Sequence, residues 1–264
     1  MVFIRFFIFL TLVGLVSATA GAAELDGVIE PYMVVNVGSG VIGILETVNV
    51  DRGDFVKKGQ VLAMLQSGVE KAAMELARAR AEMGATIQSK RAQLAFLLRK
   101  NKQNEELFLK GAVPFSQMDE AETNRILAEQ GLQEALENKR LADLELKRAI
   151  EVFNRMTVRS PIQGVVVERF LSPGEYIENQ SIMKIAQIDP LNVEVIVPVA
   201  RYASIKVGMR ARVIPEAPVV NQYMAEVKIV DRVIDAASGT FGVRLELPNP
   251  GYRIPAGLKC KVIF

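Results

Sequence analysis

Two similar β-type segments stand on either side of a long helical stretch, and this split repeat constrains the fold more than any other feature. The first segment runs from Gly43 to Met64 and the second from Gly164 to Ile185. In each segment another glycine follows after ten residues, and an acidic, an aromatic and a β-branched residue come next. Each half is therefore predicted to form a strand, a glycine turn and further strands. Two such halves would bury their apolar faces against each other as a small sandwich, although chance similarity between β-rich stretches is the alternative.

The residues between the two halves have the composition of a helical hairpin. Residues 69–110 and 116–156 contain no proline, and glycine occurs there only at Gly84 and Gly131. Strong helix formers dominate both stretches. In the second stretch alanine recurs every seventh residue, at Ala121, Ala128, Ala135, Ala142 and Ala149. This heptad predicts a coiled-coil seam along which the partner helix approaches closely.

The other helical stretch has a looser register. Its apolar residues at compatible spacing are Leu76, Met83, Ile87, Leu94, Leu97 and Phe108. Lys90 and Asn101 interrupt this stripe. The seam is therefore predicted more firmly for the second arm than for the first.

The link between the two helical stretches is short and carries turn signals. Gly111 suits a helix C-terminus and Pro114 blocks continuation of the helix. Ser116 with Asp119 resembles a capping pair for the returning helix. A short link makes the helices antiparallel, so arms of about 40 residues would project on the order of 60 Å. The alternative is a helical pair packed inside a bundle core.

Beyond Gln187 the sequence again alternates between apolar and polar residues in short runs. Several short strands in about 75 residues, separated by proline and glycine turns, predict a small barrel or sandwich. The single cysteine, Cys260, falls on the apolar face of the last strand, where a buried structural role is expected.

The composition argues against catalysis and against nucleic-acid binding. Histidine is absent, which removes the commonest general base and the commonest metal ligand. The net charge is only +2, and the basic residues are spread along the chain rather than clustered. We therefore expect no catalytic residue, no metal site and no nucleic-acid partner; the family resemblance described below implies no cofactor, because the hairpin occupies the place of a carrier lysine.

The N-terminus has the pattern of an export signal. Arg5 precedes an apolar run from Phe6 to Val16, and small residues follow. Residues 1–23 are therefore predicted to be a signal peptide. An uncleaved N-terminal anchor is the alternative, because no charged residue occurs from Phe6 to Ala23.

Three segments carry a resemblance to a known family. They are Gly53 to Leu62, Val158 to Val166, and Asp235 to Glu246 with the following Asn249-Pro250 and Pro255 to Leu258. Together they resemble the membrane fusion protein family, the periplasmic adaptors of tripartite efflux and secretion pumps. The resemblance implies a mixed α and β fold. In this fold a lipoyl-like β-sandwich is interrupted by a long antiparallel α-helical coiled-coil hairpin and followed by a small antiparallel β-barrel domain.

The resemblance also implies boundaries for these parts. The lipoyl-like halves would be residues 39–68 and 157–187, the hairpin 69–156 and the barrel 188–264, with a strand segment at 24–38 that could join the barrel. The lipoyl-like turns would contain Gly53, Asp54, Gly59, Gly164 and Gly174. Since the sequence reaches Phe264 at the end of a barrel strand, the membrane-proximal domain of many adaptors is expected to be absent.

By the same resemblance, the hairpin tip would dock on an outer-membrane channel. The family's tip pattern of arginine, leucine and serine falls on Gln103, Leu107 and Pro114, so only the leucine is kept. Asp119 matches an aspartate that the family often has shortly after this pattern. Val113, Pro114 and Phe115 are included because they form an apolar tip, for which packing within the turn is the alternative. The candidate channel-binding residues are Gln103, Leu107, Gly111, Ala112, Val113, Pro114, Phe115 and Asp119.

The implied function is a non-enzymatic bridge for the export of small molecules. Its partners would be an inner-membrane transporter, with an RND-type favoured over an ABC-type, an outer-membrane channel, and further copies in a ring of about six. It would lie in the periplasm of a Gram-negative cell, associated with the inner membrane. Two alternatives stay open: a lipoyl or biotinyl carrier, which needs an exposed lysine at the turn joining the halves, and a structural coiled-coil protein of the envelope.

Overall fold

The protein is described by a computed structural model that covers residues 24–219 and 221–264. The predicted signal peptide or anchor at residues 1–23 lies outside the described residues. The α-helices are α1 Gly68–Glu82, α2 Ala85–Leu109 and α3 Phe115–Asn154. The strands are β1 Glu24–Gly38, β2 Gly43–Val48, β3 Phe55–Val56, β4 Val61–Leu65, β5 Thr157–Arg159, β6 Gly164–Arg169, β7 Tyr176–Ile177, β8 Ser181–Pro198, β9 Arg210–Pro215, β10 Tyr223–Val230, β11 Thr240–Leu247 and β12 Lys259–Ile263.

The described chain divides into two compact units. The barrel unit consists of residues 24–33 and 187–264, and the hairpin unit consists of residues 34–186. Two long strands, β1 and β8, contribute residues to both units.

The barrel unit is a closed antiparallel barrel. Its strands follow the order β1, β12, β9, β10, β11 and β8, and β8 pairs again with β1. Alternate residues of these strands point inward, as the period-two pattern predicts. The predicted small barrel is confirmed. Its core consists of Ile29, Leu191, Val193, Val195, Val197, Ile205, Ala211, Val213, Ala225, Val227, Phe241, Val243, Leu245, Leu247, Ile254, Cys260 and Val262.

The β part of the hairpin unit contains both halves of the sequence repeat. One sheet has the order β5, β4, β2, β7, and the other strands pair as β3 with β6 and β6 with the first part of β8. Each sheet therefore mixes strands from both halves, as the predicted lipoyl-like sandwich requires. The buried residues between them are Val37, Leu45, Val50, Val56, Leu62, Ala63, Leu65, Val158, Val166, Ile177, Ile182, Met183 and Ile185.

The helices of the hairpin unit form the predicted antiparallel hairpin, but its first arm is not a single helix. Contacts between the arms run in opposite directions along the chain, since Arg80 meets Glu145 and Asn101 meets Glu122. The first arm is interrupted between α1 and α2, where Met83 has an extended backbone with ψ of 97°. Gly84 follows it, and glycine has one of the lowest helix propensities. The second arm, α3, is continuous over 40 residues, or about 60 Å.

Candidate functional site

The two halves of the sequence repeat hold each other through equivalent hydrogen bonds. The amide of Gly53 donates to the carbonyl oxygen of Val166 at 2.9 Å, and the amide of Val166 donates to the carbonyl oxygen of Asp54 at 2.9 Å. The same pair of bonds recurs in the other half. There Gly174 donates to Leu45 at 2.8 Å, and Leu45 donates to the carbonyl oxygen of Glu175 at 2.9 Å. The turn of each half is thus bound to a strand of the other half.

The structural repeat begins earlier than the sequence comparison indicates. The hydroxyl of Ser39 donates to the carbonyl oxygen of Val41 at 2.6 Å, and that of Ser160 donates to the carbonyl oxygen of Ile162 at 2.6 Å. Ser39 and Ser160 are separated by the same number of residues as Gly53 and Gly174. The signal that could have revealed this extension was the serine at one fixed distance before each first glycine.

Most of the predicted turn residues lie in turns, and one does not. Gly53, Gly59 and Gly174 have φ values of 93°, 84° and 90°, which favour glycine. The Asp54 carboxylate closes its turn by accepting a hydrogen bond from the Asp51 amide at 2.8 Å. Gly164 was predicted to lie in a turn, and this is wrong: it is the buried first residue of β6 and pairs with Val56 of β3.

At the hairpin tip, α2 ends in a Schellman motif. Gly111 has a φ of 71°, and its amide donates to the carbonyl oxygen of Phe108 at 2.8 Å. The amide of Ala112 donates to the carbonyl oxygen of Leu107 at 2.9 Å. These are the two bonds that define the motif, and they satisfy carbonyl groups that the helix end would otherwise leave unpaired. The tip therefore has a fixed turn rather than a loose loop.

The returning helix starts earlier than predicted. Helix α3 begins at Phe115, and Pro114 precedes it with an extended backbone and no side-chain capping bond. Ser116 is thus already inside the first turn, so the predicted capping by Ser116 and Asp119 is wrong. The reason is that the fixed φ of proline sets the cap position before the serine is reached.

The hairpin tip presents an aromatic pair. The rings of Phe108 and Phe115 meet edge to face with their centroids 6.0 Å apart. Phe115 is nevertheless 61% exposed, and the neighbouring Leu109 is 79% exposed. Apolar side chains held in place but left open to solvent are typical of a surface that contacts another protein.

The eight candidate channel-binding residues all lie within this tip, between residues 103 and 119. Leu107 and Val113 are half-buried. The exposed members are Gln103, Gly111, Ala112, Pro114, Phe115 and Asp119. Leu109 was missed, although its position as the last residue of α2, two residues before Gly111, could have drawn attention to it.

The predicted alanine seam is buried most deeply toward the tip. Ala121, Ala128 and Ala135 are buried, whereas Ala142 and Ala149 are half-buried. On the first arm the predicted stripe is wrong at its start: Leu76 and Met83 are exposed, and Ala77 and Ala81 are buried instead. Small residues on both arms allow the helix backbones to approach each other closely. The larger side chains of Leu76 and Met83 therefore point to the surface instead of into the seam.

A polar cluster joins the two arms near the tip. The side-chain amide of Asn101 donates to Glu122 at 2.7 Å, and Arg125 donates to the same carboxylate at 2.8 and 3.0 Å. Arg125 also pairs with Glu129 at 2.9 Å. The hydrogen bond from Arg125 lowers the pKa of Glu122, so the carboxylate stays charged. Asn101, which interrupts the apolar stripe in the sequence, therefore forms a contact between the arms.

Side chains that could bind a metal ion are not clustered in the described residues. Over residues 24–219 and 221–264, no three His, Cys, Asp or Glu side chains are placed to hold a metal ion. In the same part of the chain, no helix combines the length and hydrophobicity needed to span a bilayer. The two sandwich halves are joined through α1 to α3, so they lack the tight joining turn on which a carrier domain would display its lysine.

Comparison with known proteins decides the family. Residues 33–187, more than half of the chain, match the family described as CzcB-like, barrel-sandwich hybrid domain. The chain belongs to the membrane fusion protein family. Its members are non-enzymatic adaptors of efflux systems, which agrees with the prediction from the sequence.

Curated relatives of this membrane fusion protein have low but extended similarity. The cobalt-zinc-cadmium resistance protein CzcB of Cupriavidus metallidurans is 26% identical over 258 residues, covering 90% of this chain and 45% of the relative. An uncharacterized protein of Haemophilus influenzae is 23% identical over 235 residues, covering 88% of this chain and 54% of the relative. The chain thus spans about half the length of the curated relatives it matches.

Solved structures of other membrane fusion proteins share the fold. MacA from Actinobacillus actinomycetemcomitans superimposes with a TM-score of 0.74 at 21% identity, covering 91% of this chain and 77% of that one. The membrane fusion protein Spr0693 from Streptococcus pneumoniae has a TM-score of 0.62 at 15% identity, covering 91% and 97%. At this level of identity the likeness supports the fold alone.

Proposed function

We propose that this membrane fusion protein is a periplasmic adaptor, which links an inner-membrane transporter to an outer-membrane channel through its hairpin tip. The observation that carries the proposal is the exposed Phe115 ring on a fixed turn at the end of a 40-residue helix. Such an arm can reach a partner about 60 Å from its base. No side chain is required to do chemistry in this role.

The tip is suited to docking because its apolar surface is preorganised. The Schellman motif at Gly111 and the edge-to-face contact between Phe108 and Phe115 fix the turn before a partner arrives. Less conformational entropy is then lost on binding. Aromatic side chains, phenylalanine among them, are also enriched in the cores of protein interfaces.

The transporter and the cargo are further parts of the proposal. We favour an RND-type transporter over an ABC-type, and several copies of the adaptor, about six, around a common axis. Two curated relatives are named for cobalt, zinc and cadmium resistance and for cation efflux. Divalent metal cations are therefore the first small cargo to test, passing through the assembly rather than binding to a resident site.

Site-specific crosslinking in intact cells tests the tip contact. A photoreactive phenylalanine analogue in place of Phe115 is expected to crosslink to an outer-membrane channel protein. The same analogue in place of Leu127, which is 64% exposed further along α3, is the matched control and should not give this product. Crosslinks from neither position, or equal crosslinks from both, would contradict docking through the tip.

A substitution at the tip tests whether the contact matters for export. Phe115→Asp is expected to abolish the channel crosslink made from neighbouring tip positions and to restore sensitivity of the cells to exported cations. Leu127→Asp should leave both unchanged. If deletion of the whole chain alters no sensitivity to metals or other small toxic molecules, the structural envelope role would replace the adaptor role.

A further inference from the structure

Several loops and strand ends meet at one end of the barrel, which we call the barrel rim. Strand register places them together: Glu24 of β1 pairs with Ile263 of β12, and Thr240 of β11 pairs with Pro198 of β8. The amide of Val199 donates to the carbonyl oxygen of Gly239 at 2.9 Å. The exposed apolar side chains of the rim are Val199, Tyr202, Val207, Val233 and Ile234.

The loop between β10 and β11 presents its apolar residues outward on a fixed turn. Val233 is 84% exposed, and Ile234 beside it is 40% exposed. The turn is held by Asp235, whose carboxylate accepts hydrogen bonds from the amide of Ala237 and the hydroxyl of Ser238, both at 2.9 Å. Covering an exposed aliphatic pair on an ordered loop lowers the free energy, because apolar surface is removed from water.

The charged groups of the rim loops are more often basic than acidic. Arg232 precedes Val233, and Arg201 and Lys206 adjoin the apolar residues Tyr202 and Val207 of the other rim loop. Of the two acidic residues in these loops, Asp231 lies against Gly242 of β11, and Asp235 is directed at its own turn, where the hydrogen bond from the Ala237 amide lowers its pKa. Aliphatic side chains flanked by long basic ones can enter the interface while the cations stay among the headgroups.

The direction of the chain points to the same end. Strand β1 begins at the rim with Glu24, so the residues that precede it in the sequence are joined to the barrel there. Those residues include the stretch from Phe6 to Ala23, which contains no charged side chain. This apolar stretch, predicted to be a signal peptide or an anchor, is therefore connected to the barrel at the rim, and a retained anchor would hold the rim next to the membrane.

We propose that the barrel rim contacts the surface of a phospholipid bilayer, with Val233 and Ile234 inserted at the interface. This inference goes beyond the adaptor function, because it does not require a channel or a transporter. It assigns a role to the loop from Asp231 to Ser238, whose residues are all exposed.

Depth-dependent fluorescence of the full chain tests the proposal. The only native cysteine, Cys260, is buried, so Val233→Cys provides a single exposed position for an environment-sensitive dye. Met224→Cys is the matched control, since Met224 is an apolar residue 53% exposed at the start of β10, at the other end of the barrel. The labelled proteins are mixed with protein-free vesicles of phosphatidylethanolamine and phosphatidylglycerol that carry a lipid-bound quencher.

The expected result is a blue shift and at least about threefold stronger quenching at position 233 than at position 224. Adding Arg232→Gln and Lys206→Gln to the labelled Val233 variant should reduce the quenching. Equal quenching at both positions, quenching at neither, or no binding of the chain to vesicles would overturn the proposal. A blue shift at position 233 that occurs only when transporter is present in the vesicles would also overturn it, in favour of a protein partner. Unchanged circular dichroism of each variant keeps loss of folding apart from loss of contact.

Discussion

The amide of Gly53 donates a hydrogen bond to the carbonyl oxygen of Val166 at 2.9 Å, although the whole helical hairpin separates these residues in the sequence. Its counterpart, Gly174 to Leu45, has the same geometry in the other half. The two bonds tie the start and the end of the hairpin into one β unit. The arm therefore projects from a base that is closed across the insertion.

The positive φ of Gly53 leads to the first prediction. Gly53→Ala is expected to lower the free energy of unfolding by about 1–2 kcal/mol, because an L side chain is strained at a φ of 93° even where space is available. Gly68→Ala is the control, since Gly68 also has open space but lies in the first turn of α1. That change should leave stability equal or raise it by up to about 1 kcal/mol. Urea unfolding measures both, and equal losses would contradict the argument from backbone strain.

The alanine seam leads to a prediction about volume. Ala128→Leu is expected to destabilise the hairpin by about 1–3 kcal/mol, because the extra methyl groups must fit where the two arms are in close contact. Ala95→Leu introduces the same side chain at an exposed position of α2 and should change stability by less than about 0.5 kcal/mol. Urea unfolding followed by far-UV circular dichroism reports the helical signal. A tolerated leucine at position 128 would show that the seam is loose.

The buried Asn249 joins a loop of the barrel unit to β8. Its side-chain amide donates to the carbonyl oxygens of Ile188 and Ile254 at 2.8 and 2.9 Å, and its side-chain oxygen accepts from the Ile254 amide at 2.9 Å. Asn249→Ala is expected to cost about 3 kcal/mol, because two buried backbone groups of Ile254 and the half-buried carbonyl of Ile188 lose their partner.

Asn192→Ala is the matched comparison for Asn249. Asn192 is also buried, but its side-chain amide makes one long bond of 3.3 Å to the carbonyl oxygen of Tyr32. The expected loss is about 1 kcal/mol. Thermal and urea unfolding give both values, and a loss at position 192 as large as that at 249 would mean that burial rather than hydrogen bonding determines the cost.

Cys260 leads to a prediction about alkaline pH. Burial raises the pKa of its thiol from 9.0 to about 11, with smaller contributions from the nearby Glu216 and Asp26 carboxylates. The unfolded chain therefore loses this proton at a lower pH than the folded chain does. The stabilisation from the neutral thiol is complete below pH 9 and is lost as the pH rises from 9.0 to about 11.

Cys260→Val separates this effect from the titration of lysine and tyrosine, which both proteins share. Wild type is expected to lose more stability than the variant between about pH 8 and about pH 10.5 in urea unfolding under reducing conditions. A thiol reagent at about pH 8 should react only with unfolded wild-type protein. Equal pH dependence of the two proteins would show that the thiol has no part in it.

Much of the fold could be predicted because its signals are local in the sequence. The ten-residue interval between Gly43 and Gly53 and between Gly164 and Gly174 revealed the sandwich halves. The heptad from Ala121 to Ala149 revealed the seam. Both signals depend only on the geometry of one strand pair or one helix face, which neighbouring residues determine.

The candidate site was predicted in part, and its errors have local causes. The tip was placed correctly by Gly111 and Pro114, but the start of α3 was wrong because proline at the cap precedes the serine. The seam of the first arm was predicted through Leu76, but Leu76 is exposed and Ala77 is buried. Which residues of α1 face α3 depends on how closely the two backbones approach, and the sequence of α1 alone does not determine this distance.

By itself, the sequence determined the order of the parts, the length of the hairpin, the turn at its tip and the alternation of the barrel strands, because each follows from periodicity or from glycine and proline. The tertiary structure alone decided that the Gly53 amide donates to the Val166 carbonyl oxygen and that the side chain of the buried Asn249 forms hydrogen bonds with Ile188 and Ile254. It also decided that Val199 and Val233 lie at the same rim of the barrel. These relationships join residues far apart in the chain. They exist only once packing has brought distant strands together and removed their polar groups from water.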